Sequence, residues 1–281
     1  METTKMNNEI QKKIITIQDI SCTGRCSATV ALPVLSALGI ETALVPTGIL
    51  STHTGGFDTP YIVDFTQHLE GILDHWKREG VTASAVYAGY LGSASQMELV
   101  TRYGKELGNL PLYIDPVMGD NGKLYAGFDG DYLKKMRNFL SGAYMIFPNL
   151  TEACGLLEIP YTSHPTESEL ERIMDGLKKL GPEKVLLTGI ESEDGKKIGN
   201  CYGDGGTVSM YWNPKTEGHF HGTGDLFASA VIGCLVRGQR IEKAVNLAAR
   251  FVCASIEKTM ETEFEERDGV RFELCLPLLI S

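Results

Sequence analysis

A chain of 281 residues with 43% hydrophobic content can bury a sizeable core as one large α/β domain or two small ones, and its composition carries no sign of disorder. The net charge of −10 comes from interspersed acids and bases without a long basic run, which argues against nucleic acid and against a membrane surface as partners. The seven cysteines are scattered, the first thirteen residues lack the apolar core of a secretory signal, and no apolar run approaches the roughly 20 residues that span a bilayer, so a cytoplasmic protein is expected.

In chain order, β-rich apolar runs alternate with helical patterns. The reading predicts a strand at 13–18, a helix at 27–38, a strand at 40–46, a helix at 61–78, a strand at 84–88 and a helix at 94–107. A strand at 112–115, a helix at 131–140, a strand at 144–147, a helix at 167–180 and a strand at 184–188 continue the alternation. Runs at 197–202 and 207–212 around Gly203-Asp204-Gly205-Gly206 predict an antiparallel hairpin, followed by helices at 225–236 and 241–258. Such alternation predicts a three-layer α/β/α fold with a mainly parallel central sheet, and the absence of a linker or repeat predicts a single domain over 1–281.

In open α/β sheets, ligands bind beyond the carboxyl ends of the strands. The unusual patches of this chain fall there: 19–26 after the first strand, 47–59 after the second, Gly89-Tyr90-Leu91-Gly92-Ser93 after the third, Asp115 to Asp120 after the fourth and Asn149-Leu150-Thr151-Glu152 after the fifth. Thr188-Gly189 ends the sixth. Each patch also has a local explanation. Asn149 with Glu152 is a helix-capping signature, Asp115-Pro116 suits a turn, Thr188 can bond locally, and His53 fits a surface loop. Their convergence on one rim is what points to a site.

The heptad His221-Gly222-Thr223-Gly224-Asp225-Leu226-Phe227 runs two glycines into an acid at the start of an apolar helix. Backbone N–H groups at the positive end of that helix suit a phosphate, and the aspartate suits the proton of a hydroxyl, although Asp before an apolar run is also a favoured cap. The pairing predicts phosphoryl transfer to an alcohol. No Gly-x-x-x-x-Gly-Lys-[Ser/Thr] loop and no protein-kinase catalytic loop occurs, so phosphate charge would fall to this helix end and to a Mg²⁺ near Asp115, Asp120 and Glu152, acting directly or through water. Cys22 with Cys26, and His219 with His221, lack the further ligands of a closed metal site.

Taken together, these segments resemble the ribokinase superfamily of small-molecule kinases, and within it the pyridoxal kinases, from about Ile14 to Lys258. The resemblance is carried by Ile17-Gln18 with Gly24, Thr47 with Ser51-x-His53-Thr54, Gly89 to Ser93, Asp115-Pro116-Val117-Met118-Gly119, Pro148-Asn149-Leu150-x-Glu152 and Gly222-Thr223-Gly224-Asp225. It implies a ribokinase-like fold and ATP-dependent phosphorylation of the 5′-hydroxymethyl group of pyridoxal, pyridoxine or pyridoxamine. Asp225 would be the base, with Gly222, Thr223 and Gly224 as the anion hole. Asn149, Thr188 and Asp115 would serve ATP, while Glu152, Asp115 and Asp120 would serve Mg²⁺. Asp19, Thr47, His53 and Tyr90 would meet the vitamin. The resemblance also implies a homodimer and admits a monovalent cation. Asp19 departs from the family, which commonly has Ser there. Two rival readings are a hydroxymethylpyrimidine kinase of thiamine synthesis and a non-catalytic sensor of B6 vitamers.

Overall fold

The computed structural model describes residues 11–280 except 126, 205 and 206, so Gly205-Gly206 of the expected turn and the first ten residues lie outside it. The strands are β1 (Lys13–Ser21), β2 (Glu41–Leu50), β3 (Ile62–Asp64), β4 (Ala85–Ala88), β5 (Leu112–Ile114), β6 (Gly119–Asp120), β7 (Lys123–Leu124), β8 (Met145–Ile146), β9 (Lys184–Glu191), β10 (Lys197–Asp204) and β11 (Thr207–Pro214). The helices are α1 (Ala28–Ala37), α2 (Thr66–Arg78), α3 (Ala94–Glu106), α4 (Gly130–Leu140), α5 (Leu150–Leu157), α6 (Glu167–Lys179), α7 (Thr223–Val236), α8 (Ile241–Met260) and α9 (Pro277–Ile280).

The main sheet has the order β11-β10-β9-β8-β5-β4-β1-β2-β3. Strands β9 through β2 in that order pair in parallel, while β3, β10 and β11 are antiparallel additions at the two edges. Strand β1 is buried on both faces, as its near-continuous apolar run requires. Alternate residues serve opposite layers. Ile14 joins Tyr87 and Leu226 under α1, α7 and α8, whereas Ile15 and Ile17 join Val86 and Val185 under α2 to α6. This is the expected three-layer fold, and the carboxyl ends of the parallel strands form one rim.

Three local expectations change. Residues 62–64 are not helical: Ile62 and Val63 pair with Leu50 and Ile49 across the sheet edge, and the Asp64 carboxylate accepts the Thr66 N–H at 2.7 Å where the helix begins. The β-branched pair Ile62-Val63 favours that extended edge. A short hairpin, β6 with β7, and the helix α5 stand between the fourth and sixth predicted strands, where the sequence showed only motifs. Beyond α8, residues 266–280 form short helical turns that bury Phe272, Cys275 and Leu279 in the core.

Candidate active site

Helix α7 is apolar around its circumference and buried from Leu226 to Cys234, so its N-terminus is fixed by packing rather than by a side-chain cap. Its N-cap Gly222 has φ 80°, and a Cβ there would overlap the Arg25 carbonyl oxygen, so glycine is demanded both by conformation and by space. The Thr223 hydroxyl donates to the Phe220 carbonyl at 3.1 Å rather than capping the helix, and residues 222–225 line the cavity beside it. Asp225 stands in that first turn, and its Oδ2 accepts the Ser27 N–H at 3.0 Å. Burial raises its carboxyl to about 7, against the lowering effect of the Ser27 amide, and the charge of Asp19 adds to the rise.

The cavity at this helix end encloses about 710 Å³, within the range of small-ligand sites. Asp115, Asp120, Asn149, Glu152, Thr188 and residues 222–225 all line it. Asn149 and Glu152 form a complete capping box on α5: Asn149 Oδ1 accepts the Glu152 N–H at 2.9 Å, and Glu152 Oε2 accepts the Asn149 N–H at 2.9 Å. The capping reading is therefore correct, but it does not exhaust either residue. Glu152 Oε1 accepts the Met118 N–H at 3.0 Å, Asn149 Nδ2 donates to the Gly119 carbonyl at 2.9 Å, and the Gly122 N–H donates to the Thr151 hydroxyl at 2.9 Å. Together these bonds hold the β6–β7 hairpin, which carries Asp120, against α5. Thr188 bridges to Asn149 across the strand ends.

Burial raises the Glu152 carboxyl to about 8, against its backbone donors, with the charge of Asp120 adding to the rise. Asp115 is pushed well up by burial and then by the charges of Glu152 and Asp225. Three carboxyls under mutual repulsion need positive charge to ionise together. The donors are all oxygen, which suits a hard divalent cation such as Mg²⁺. Among the described residues no three His, Cys, Asp or Glu side chains form a group that could hold a metal ion directly.

The residues expected to meet the vitamin are not part of this cavity, whose lining includes none of Asp19, Thr47, His53 and Tyr90. Asp19 is nevertheless close enough to act on Asp225, and Cys26 feels the charge of both acids. Asp19 is buried, accepts the Ser21 hydroxyl at 3.0 Å, and has its carboxyl raised chiefly by burial. Thr47 donates to the Tyr90 carbonyl at 3.2 Å. Tyr90 is half-buried against Phe128, with ring centroids 5.6 Å apart.

His53, expected on the vitamin side, is tied into its loop. It is buried, its Nδ1 accepts the Gly55 N–H at 3.1 Å, and its Nε2 stands 2.6 Å from the Arg267 carbonyl, to which that tautomer donates. Both ring nitrogens are thus engaged with backbone, which anchors the loop after β2. His221, 5.0 Å from His53 between ring centroids, lines the cavity, and burial followed by the neighbouring histidines lowers it to about 4.

Sequence reading missed the apolar lobe of the cavity, formed by Phe227 and Ala228 of α7 with Ala249, Val252, Cys253 and Ile256 of α8. The α8 residues recur at helical spacing, which in sequence is indistinguishable from a core stripe.

Comparison with known proteins agrees in fold and family. A family model described as phosphomethylpyrimidine kinase matches residues 31–269. A Bacteroides thetaiotaomicron protein, crystallised with pyridoxal under the name of a phosphomethylpyrimidine kinase, is 34% identical with a TM-score of 0.91, covering 96% of this chain and 96% of that one. The pyridoxal kinase of Lactobacillus plantarum is 33% identical with a TM-score of 0.87, covering 95% of this chain and 96% of its own. Among relatives known by sequence, the pyridoxal kinase of Rubrobacter xylanophilus is 29% identical over 88% of this chain and 87% of its own.

Proposed function

The chain belongs to the phosphomethylpyrimidine kinase family, and from that premise we propose that it is a pyridoxal kinase of the ribokinase superfamily, transferring the γ-phosphoryl group of ATP to the 5′-hydroxymethyl group of a B6 vitamer. The observation that carries the chemistry is Asp225: a carboxyl raised to about 7, in the first turn of α7 and held by the Ser27 amide. A base poised near neutral pH is half ionised and accepts a proton readily. The acceptor hydroxyl oxygen forms a bond to the γ-phosphorus while the bond from that phosphorus to the β–γ bridging oxygen breaks. The hydroxyl proton passes to Asp225, ADP leaves, and the amides of Gly222 to Gly224 stabilise the charge on the transferring group.

Asp115, Asp120 and Glu152 would hold Mg²⁺, which supplies charge neutralisation to the phosphates when bound. Asn149 and Thr188 support the nucleotide phosphates, and the apolar lobe between α7 and α8 accepts the adenine face. Asp19, Thr47 and Tyr90 form the vitamer side. A single domain, a homodimer and a cytoplasmic setting complete the reading; among the described residues no helix is long and apolar enough to cross a membrane.

Hydroxymethylpyrimidine is the second acceptor to consider, because the family description and the Bacteroides relative carry a pyrimidine name. A coupled ADP-release assay across pyridoxal, pyridoxine, pyridoxamine and hydroxymethylpyrimidine decides between them. The highest kcat/KM is expected on a B6 vitamer. Preference for the pyrimidine would overturn the acceptor, and ADP release with none of the four would overturn the acceptor class.

A further inference from the structure

The C-terminal segment beyond α8 touches none of the motifs described above in sequence, yet in space it grips the loops around the base. Its centre is Arg25, in the loop between β1 and α1. Arg25 Nε donates to Glu273 Oε1 at 2.7 Å, and its terminal nitrogen donates to the Asp268 carbonyl at 3.0 Å. Gly269, with φ 71°, lies so close that a Cβ there would come within 3.0 Å of the Arg25 Cβ. The neighbouring Arg267 offers its carbonyl to His53 and its guanidinium to the Phe57 ring, 5.2 Å from the centroid, which ties in the loop after β2.

With side chains 30% and 49% exposed, an Arg25–Glu273 pair adds little to stability. Its geometric effect is larger. The Arg25 carbonyl abuts Gly222, the N-cap of α7, and two residues further on Ser27 holds φ 51°, a left-handed conformation unusual outside glycine. Such a conformation persists only where surrounding structure enforces it. In that conformation the Ser27 N–H meets Asp225.

We infer that Arg25 is a positioning residue, clasped by Glu273 and the Asp268 carbonyl so that the Ser27 amide is held against the Asp225 carboxylate. This inference rests on the reading of Asp225 as the base. The other charged and titratable groups acting around Asp225 are Asp19 of β1, Asp115 beyond β5, Cys26 of the same loop, and the phenols of Tyr87 and Tyr125; the carboxylates oppose its ionisation, so the Ser27 amide is what favours the carboxylate. A loosened clasp therefore shifts the acid limb of the kcat–pH profile to higher pH.

The test compares Glu273→Ala, Glu273→Gln and Arg25→Ala in the full chain, measuring kcat, both KM values, the pH profile and Tm. Glu273→Ala is expected to lower kcat roughly threefold and Arg25→Ala roughly tenfold or more, with KM for ATP within about twofold and the acid limb moved upward. Glu273→Gln still accepts from Arg25 Nε and is expected to stay near wild type. Unchanged kcat and acid limb in the alanine variants, or equal loss in Glu273→Gln and Glu273→Ala, would overturn the inference, as would a lowered Tm with an unmoved profile. If Arg25→Ala fails to fold, the Glu273 pair decides alone. Asp225→Asn run alongside separates the two layers: full activity there breaks the reading of the base, whereas an inactive Asp225→Asn with indifferent clasp variants breaks only the positioning role.

Discussion

The two halves of the rim are built differently. The phosphate half, from Asp115 through Asn149, Glu152 and Thr188 to the start of α7, consists of backbone amides and buried carboxyls supplied by short contiguous motifs. The half proposed for the acceptor assembles Asp19, Thr47, His53 and Tyr90 from separate segments, and several of these side chains already bond protein partners: Ser21, the Tyr90 carbonyl and the Arg267 carbonyl. The contrast teaches that one half of the rim is set by local backbone geometry, whereas the other depends on how remote loops are locked together.

The sharpest way to break this contrast is at Asp225, where the halves meet. Asp225→Asn retains an oxygen for the Ser27 amide but loses the proton acceptor, so kcat is expected to fall by roughly 10² to 10⁴ with Tm close to wild type. Near-normal turnover of the purified variant would show that the phosphate half works without a base.

A smaller effect is expected on the acceptor side. Asp19→Ala should raise KM for the vitamer by roughly ten- to a hundredfold, the worth of one charge-assisted hydrogen bond, and leave KM for ATP almost unchanged. Because Asp19 also holds Ser21, the stability of the variant must be measured beside its kinetics. Equal small changes in both KM values with a lowered Tm would make Asp19 a structural residue and leave recognition to Thr47 and Tyr90.

The smallest effect is a pH dependence confined to the phosphate half. Glu152 at about 8 and Asp225 at about 7 lie above their unfolded values, so between those values and the folded ones the native state binds more protons than the unfolded state. Stability of the ligand-free protein is therefore full below the unfolded range and lost as pH rises, with Tm falling from about pH 5 to pH 8. Added Mg²⁺ should recover stability increasingly with pH, and Glu152→Gln should weaken that recovery. A Tm that rises with pH over this window would contradict the raised carboxyls of Glu152 and Asp225.

How far the site was legible follows from the same contrast. Asn149 with Glu152 and Gly222 to Asp225 are local patterns whose spacing states their backbone geometry, and both stand where that spacing puts them. The capping box is real, and only the fold adds that Glu152 also holds Met118. For His53 only the fold adds that the carbonyl of Arg267, 214 positions away, takes its second nitrogen, since nothing near it in sequence reveals that partner. The strand at 62–64 was read as helix because an edge pairing with β2 outweighed the helical pattern that continues from 66.

By itself the sequence determined the class of fold, through alternating apolar periodicities that leave few ways to cover a parallel sheet, and it marked the turn before α7, where Gly222 takes a positive φ. Tertiary structure alone decided the ionisation of the acids, because burial and repulsion depend on which carboxyls face one another across the cavity. It likewise decided that Gly222 must accommodate the Arg25 carbonyl and that a C-terminal segment without a motif closes over the loops, since such contacts join residues that share no local pattern.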